Sequence, residues 1–155
     1  MNEPNAHAQD QEMELVSFRV GDQDFCVDVK CVREIRGWTQ ATPLPHSPDY
    51  VCGVINLRGT VLPIVELATR LGLKSSPPSA RSVIIVVQIT GRVVGLLVDE
   101  VSEILVSSTK AIQPPPDMAC FAVKTFISGI LSVEDRMISL LILDELLPKL
   151  QEEAA

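Results

Sequence analysis

Aromatic side chains are scarce in this sequence: four Phe, one Tyr and one Trp make up 4% of its 155 residues. Any core must therefore be aliphatic, and Val, Ile and Leu supply it, a composition that favours strands over helices. Basic residues are also few, 13 Lys and Arg against 20 Asp and Glu, for a formal net charge of −7. That balance argues against a phosphate-backbone partner, because nothing offers the basic field that dominates nucleic-acid affinity. It argues equally against direct docking on an anionic membrane. Long hydrophobic runs are missing too. The longest, Val83–Val87 and Val93–Val98, fall far short of the ~20 apolar residues of a membrane-spanning helix.

The chain opens MNEPNAHAQDQEM, without the basic and apolar regions of a signal peptide, and Asn2 stands where myristoylation requires glycine. Cys26, Cys31, Cys52 and Cys120 form no C-x-x-C pair and have no nearby histidine to complete a zinc set. They read as small buried hydrophobes of a reduced, cytoplasmic protein.

Catalytic constellations are equally sparse. The histidines are His7, in a polar tail, and His46, in the Pro-flanked loop PLPHSPDY with no accompanying nucleophile motif. G-x-S-x-G, Walker A and G-x-G-x-x-G patterns are absent. Asp22, Asp24 and Asp28 match only the start of a calcium loop, lack its central Gly and closing Glu, and read as a solvated hairpin turn. Asp99, Glu100 and Glu103 read as a solvated loop edge rather than an acid/base pair. No catalytic residue, metal or cofactor is expected. The rival class, a ligand-binding or hydrolytic barrel, would have to use His46 and the Asp99 cluster.

What is present is alternation. Glu14–Val20 and Phe25–Val29 alternate apolar and polar residues around Gly21-Asp22-Gln23-Asp24, as a hairpin should. Val51–Asn56 and Thr60–Val65 form a second hairpin, in which Gly59 can supply a positive φ. Pro63 places the latter strand at an edge or gives it a bulge. Ser82–Thr90 with Arg92–Val98, and Phe126–Leu131 with Met137–Leu143, form two more. Helical signals are short, Glu66–Leu71 and Leu143–Leu147, and Lys74–Ala80 reads as a linker.

The hairpins recur. At an offset of 69, Val29, Val32, Glu34 and Ile35 fall on the identical Val98, Val101, Glu103 and Ile104. Pro43-Leu44-Pro45 answers Pro114-Pro115-Pro116 at 71, and Gly53 with its hairpin answers Gly129 at 76. Each unit of roughly 70 residues is too small to bury much alone. Five short strands per unit fit a small barrel, and two such barrels are expected to pack together with a binding groove between them. Arg58 stands at a hairpin tip, either a solubilising turn residue or a contact. Val32 and Ile35, with i, i+3 spacing, read by default as core contacts. Met118 and Phe121 follow the prolines in a polar loop, where large apolar residues are poorly placed unless covered.

These residues resemble a known family. The run from Pro45 and Pro48 through Tyr50-Val51 and Gly53-Val54-Ile55-Asn56-Leu57-Arg58-Gly59-Thr60-Val61-Leu62-Pro63-Ile64 is similar to the signature of CheW-like domains, the bacterial chemotaxis coupling proteins. Val32–Ile35, Val94–Val101 and the close from Gly129 through Asp135-Arg136-Met137 to Leu146-Leu147 support it. The resemblance implies an all-β fold with short helices, in which two SH3-like five-stranded barrels intertwine and share a hydrophobic core over residues 14–150. Residues 1–13 and 151–155 would be tails, the first disordered. It implies a non-enzymatic, cytoplasmic adaptor, recruited to receptor arrays, that joins chemoreceptor cytoplasmic helical tips to the regulatory domain of the histidine kinase CheA. The same role in a non-flagellar chemosensory pathway is the alternative. Receptor-binding positions would be Val32, Glu34, Gly53, Ile55, Asn56 and Arg58, a groove that takes a helix by its apolar stripe and polar rim. A kinase or ring contact, including one with other CheW-like domains, would use Gln113, Asp117 and Met118. There this sequence has Gln for a basic residue and Met for an aromatic one.

Overall fold

A computed structural model describes residues 11–75, 77–116 and 125–147. The alternating segments become strands: β1 (Glu12–Val20), β2 (Gln23–Asp28), β3 (Val32–Gly37), β4 (Val51–Leu57), β5 (Thr60–Glu66), β6 (Val83–Ile89), β7 (Arg92–Val98), β8 (Glu100–Ser108), β9 (Ile127–Val133) and β10 (Arg136–Leu141). One-turn helices α1 (Leu67–Arg70) and α2 (Leu143–Leu146) follow β5 and β10. The four expected hairpins all form. β1 starts at Glu12, inside the stretch assigned to the N-terminal tail. The other departure is at β3 and β8, which the i, i+3 spacing of Val32 and Ile35 disguised. Both residues lie on β3, and Ile35 is 45% exposed rather than in the core.

The strands assemble as two five-stranded sheets, ordered β8-β1-β2-β10-β9 and β3-β6-β7-β5-β4. The sequence repeats are therefore not the structural units. Each repeat gives its first hairpin to the sheet of the other, and the chain crosses at the 3-10 turn Val29–Cys31 and again at Asp99. An Asp28 carboxylate oxygen accepts from Lys30 N–H at 2.9 Å to cap the first crossing. Registers repeat as closely as the sequence does. Val32 faces Val87 as Val101 faces Phe18, and Ile64 faces Gly95 as Leu140 faces Cys26.

Each sheet is closed by the chain just beyond one of its edge strands, β3 or β8. Thr42 exchanges both backbone bonds with Val54 (2.9 and 2.8 Å), and Gln113 does the same with Ile130 (3.0 and 2.7 Å). Closure removes the exposed edges that an open sheet would present. It needs Gly53: with φ at +147°, a Cβ there would stand 2.3 Å from the Thr42 carbonyl oxygen. Pro63 is accommodated by neither of the expected routes. β5 is an inner strand, between β7 and β4, and the register shift lies in β4 between Val51 and Gly53. Val54, opposite Pro63, directs both backbone groups to Thr42, and the ladder to β7 begins only at Ile64, so no donor is required of the proline.

Burial follows this plan. The second barrel encloses Ile55, Leu57, Leu62, Ile64, Ile84, Val86 and Leu97, whereas the first encloses Leu15, Cys26, Leu131 and Ile138. A third cluster draws Phe18, Phe25 and Leu146 from the first barrel and Val65, Leu67, Ile85 and Leu96 from the second, forming the shared core.

Candidate functional site

The Asn56-Leu57-Arg58-Gly59 tip is a two-residue turn between the paired Leu57 and Thr60. Arg58 and Gly59 both take positive φ, 52° and 88°, the combination that matches the twist of a hairpin. An arginine is disfavoured there by roughly 1–2 kcal/mol. Two contacts hold it: the Asn56 side-chain oxygen accepts from Gly59 N–H at 2.9 Å, and Arg58 Nη2 donates to Glu34 Oε2 at 2.6 Å. Arg58 and Glu34 meet because barrel closure brings the two edges of the sheet, β3 and β4, together. The Arg58 side chain is 73% exposed, so the pair contributes little to stability. Its consequence is direction, an arginine held at the mouth of a groove of about 200 Å3 lined by Arg33, Glu34, Leu57, Arg58, Thr60 and Val93, among others.

Of the sequence candidates, Glu34, Asn56 and Arg58 are accessible or partly so, and Val32 is half-buried against the shared core. Ile55 is not a surface residue: strand alternation turns it into the second barrel, where it is 7% exposed. Gly53 is likewise covered, and the close approach it permits is that of the chain's own Thr42 backbone. Two large apolar residues that sequence reasoning misplaced or missed are on the surface, Ile35 at 45% and Val61 at 63%. They neighbour Glu34 and Thr60, which border the groove. Val61 was detectable, since alternation with Leu62 and Ile64 inside puts residue 61 outside.

The first barrel carries a related but different arrangement. Arg136 Nη2 donates to Glu103, the counterpart of Glu34, at 2.8 Å, and its Nη1 lies 3.9 Å from Asp24. Ile104 and Met137 are exposed where Ile35 and Val61 stand in the other barrel. Gln113 borders a groove of about 300 Å3 with Pro114, Pro116, Ile130 and Met137. Asp117 and Met118, like Cys120 and Phe121, lie outside the described residues.

Asp99, Asp24 and Asp28, considered for chemistry, have structural partners. An Asp99 carboxylate oxygen accepts from Gly21 N–H at 2.7 Å and ties the β1–β2 turn to the crossing. Asp24 faces Arg19 and Arg136, and Asp28 caps its turn. His46 is exposed, at a positive φ of 60°. Among the described residues no three His, Cys, Asp or Glu side chains are grouped to hold a metal ion. Burial pushes the Cys26 thiol up to about 12, and burial plus the nearby Glu66 charge push Cys52 up to about 11. Burial, then the Asp28 and Asp144 charges, raise Cys31 as well. These thiols stay protonated at neutral pH, without the thiolate that reactivity needs.

The described residues form a double barrel with two surface grooves, each bordered by an arginine-bearing hairpin or its counterpart. Comparison with known proteins gives the family. The family model for the CheW-like domain matches residues 14–151. "Chemotaxis protein CheW" of Rhizobium meliloti (strain 1021) is 56% identical over 149 residues, 96% of each chain. "Probable chemotaxis protein CheW" of Rhizobium etli is 54% identical, over 93% of each chain. The crystal structure of the scaffolding protein TtCheW from Thermoanaerobacter tengcongensis superposes with a TM-score of 0.80 at 31% identity, covering 85% of this chain and 90% of that one. The chain belongs to the CheW-like family. Its role is that of an adaptor in chemotaxis signalling.

Proposed function

We infer that this chain is a non-enzymatic, cytoplasmic adaptor that joins the helical tips of chemoreceptors to the regulatory domain of the kinase CheA. The observation that carries the receptor assignment is the Glu34–Arg58 pair at the groove mouth. A strained, exposed arginine that adds little stability is explained by recognition. The receptor helix lies against the groove with Val32, Asn56 and Arg58 in reach, while Gly53 and Ile55 shape the surface from beneath. The kinase-side or ring contact falls to Gln113, which pairs with Ile130 of the other barrel, together with Asp117 and Met118. No helix of the described residues is long and apolar enough to cross a membrane, and the family relationship supports recruitment to arrays through the receptors.

The test is co-sedimentation of the full chain with receptor-tip and kinase fragments, followed by titration of Arg58→Glu. The variant should lose receptor affinity by at least about tenfold, the ~1.4 kcal/mol scale of one good charged contact, with an unchanged circular dichroism spectrum. Wild-type affinity in Arg58→Glu overturns the assignment. Co-sedimentation should be accompanied by stimulated kinase autophosphorylation in the joint complex.

A further inference from the structure

The internal symmetry is broken at Arg70. Tyr50 and Phe126 are counterparts at the offset of 76, each just before the first strand of its second hairpin, and each gives its carbonyl to the strand end of that hairpin (Glu66 N–H at 2.7 Å, Ile142 N–H at 2.8 Å). The guanidinium of Arg70 lies against both rings, 4.1 Å from the Tyr50 centroid and 5.0 Å from that of Phe126. Arg70 ends α1, behind the second barrel. The residue at its own offset of 76 is Leu146, fully buried at the end of α2 behind the first barrel. Arg70 Nε donates to the Leu146 carbonyl at 3.2 Å and Nη2 to the Glu145 carbonyl at 2.8 Å, filling acceptors that a helix end leaves open.

We propose that Arg70 is a positioning residue, the pin that fixes the angle between the two barrels and so couples their binding faces. Most of what joins the barrels is the aliphatic shared core, and hydrophobic burial is non-directional. Arg70 adds what that core lacks: two oriented hydrogen bonds and two ring faces, contributed from both sides of the joint. The face bearing Glu34 and Arg58 belongs to one barrel and the groove at Gln113 to the other. A scaffold that engages both at once depends on the angle between them. The coupling role rests on the adaptor reading; the joint itself does not.

The experiment compares full-length wild type, Arg70→Met and Arg70→Lys. Backbone residual dipolar couplings report the inter-barrel angle without any partner. Affinity for receptor-tip and kinase fragments is measured separately, then kinase stimulation in the complete complex. In Arg70→Met the angle should change or broaden, each separate affinity should stay within about twofold, and stimulation should fall about tenfold, within the usual range of coupling between sites. Arg70→Lys, which keeps the cation over the rings, should restore part of both. Wild-type angle in Arg70→Met overturns the joint, and wild-type stimulation overturns the coupling. Should Arg70→Met not fold, Arg70→Gln is measured identically, and wild-type values in it overturn the proposal. If the wild-type chain itself neither binds nor stimulates, the adaptor reading and the coupling fall together, while the dipolar couplings still decide the joint.

Discussion

Replacing Gly53 by alanine isolates the closure of the second barrel. The added methyl would lie 2.3 Å from the Thr42 carbonyl oxygen, 2.6 Å from its carbon and 3.0 Å from Pro43 N, all backbone atoms that no side-chain rotation can move. Relief therefore requires the 42–54 bridge to open, with loss of its 2.9 and 2.8 Å hydrogen bonds, each worth about 0.5–1.5 kcal/mol net. Alanine at φ +147° adds backbone strain, about 1–3 kcal/mol. The sum, roughly 2–6 kcal/mol, is a large part of the ~5–15 kcal/mol that holds an ordinary domain together. Gly129 is the internal control. Its added methyl meets chiefly the Ile112 Cγ2 atom, at 2.3 Å, with the Gln113 oxygen at 3.1 Å, and its φ lies outside the left-handed region. Ile112 can rotate at an off-rotamer cost of about 0.5–1.5 kcal/mol. Urea unfolding, with the midpoint read at constant slope, should place Gly53→Ala well below Gly129→Ala, itself slightly below wild type. Equal shifts, or the larger shift at Gly129, would refute the account of closure.

Three further expectations concern the surface and the thiols. Arg58→Gly relieves the positive φ and loses only an exposed ion pair, so thermal stability should stay within about 1 kcal/mol of wild type while receptor affinity collapses. A matched loss of stability and affinity would show that Arg58 is structural. Ile35→Ser combined with Val61→Ser removes two exposed apolar side chains and should change stability by no more than about 0.5 kcal/mol per site while weakening receptor-fragment binding in calorimetry; unaltered binding removes both from the interface. For Cys26, burial raises the folded-state pKa from 9.0 to about 12, so its stabilising effect is complete below pH 9 and is lost as pH climbs towards 12. Unfolding free energy should fall with pH in that window, less steeply in Cys26→Ala, and identical slopes would exclude the thiol as the cause.

The sequence exposed the hairpins because strand alternation survives wherever one face is buried, as in Glu14–Val20 and Val51–Asn56. β3 and β8 escaped because each carries a register shift, at Val32/Glu34 and opposite Ser17/Phe18, and exposes an isoleucine. The repeat was legible but not its exchange, since the decision of which sheet receives β1 and β2 rests on contacts across 78 or more residues, such as Gly21 with Asp99. At the candidate site, Arg58 and Glu34 were both nameable from the motif. Their union was not, as it depends on barrel closure at Thr42. Ile55 and Gly53 show the limit from the other side, because a motif records what must be kept without separating what touches a partner from what holds the surface up.

The exchange of hairpins also sets an order of assembly on the ribosome. All five strands of the second barrel lie between Val32 and Val98, so that barrel can close once residue 98 has emerged. β1 and β2 precede that barrel in the chain yet find their last partner only when β10 arrives, up to Leu141. The nascent chain thus carries an unfinished hairpin until β10 emerges, with β1 and β2 offering free edges while the neighbouring barrel can already be complete. Completion of the first barrel, and with it of the shared core, waits on the arrival of β10.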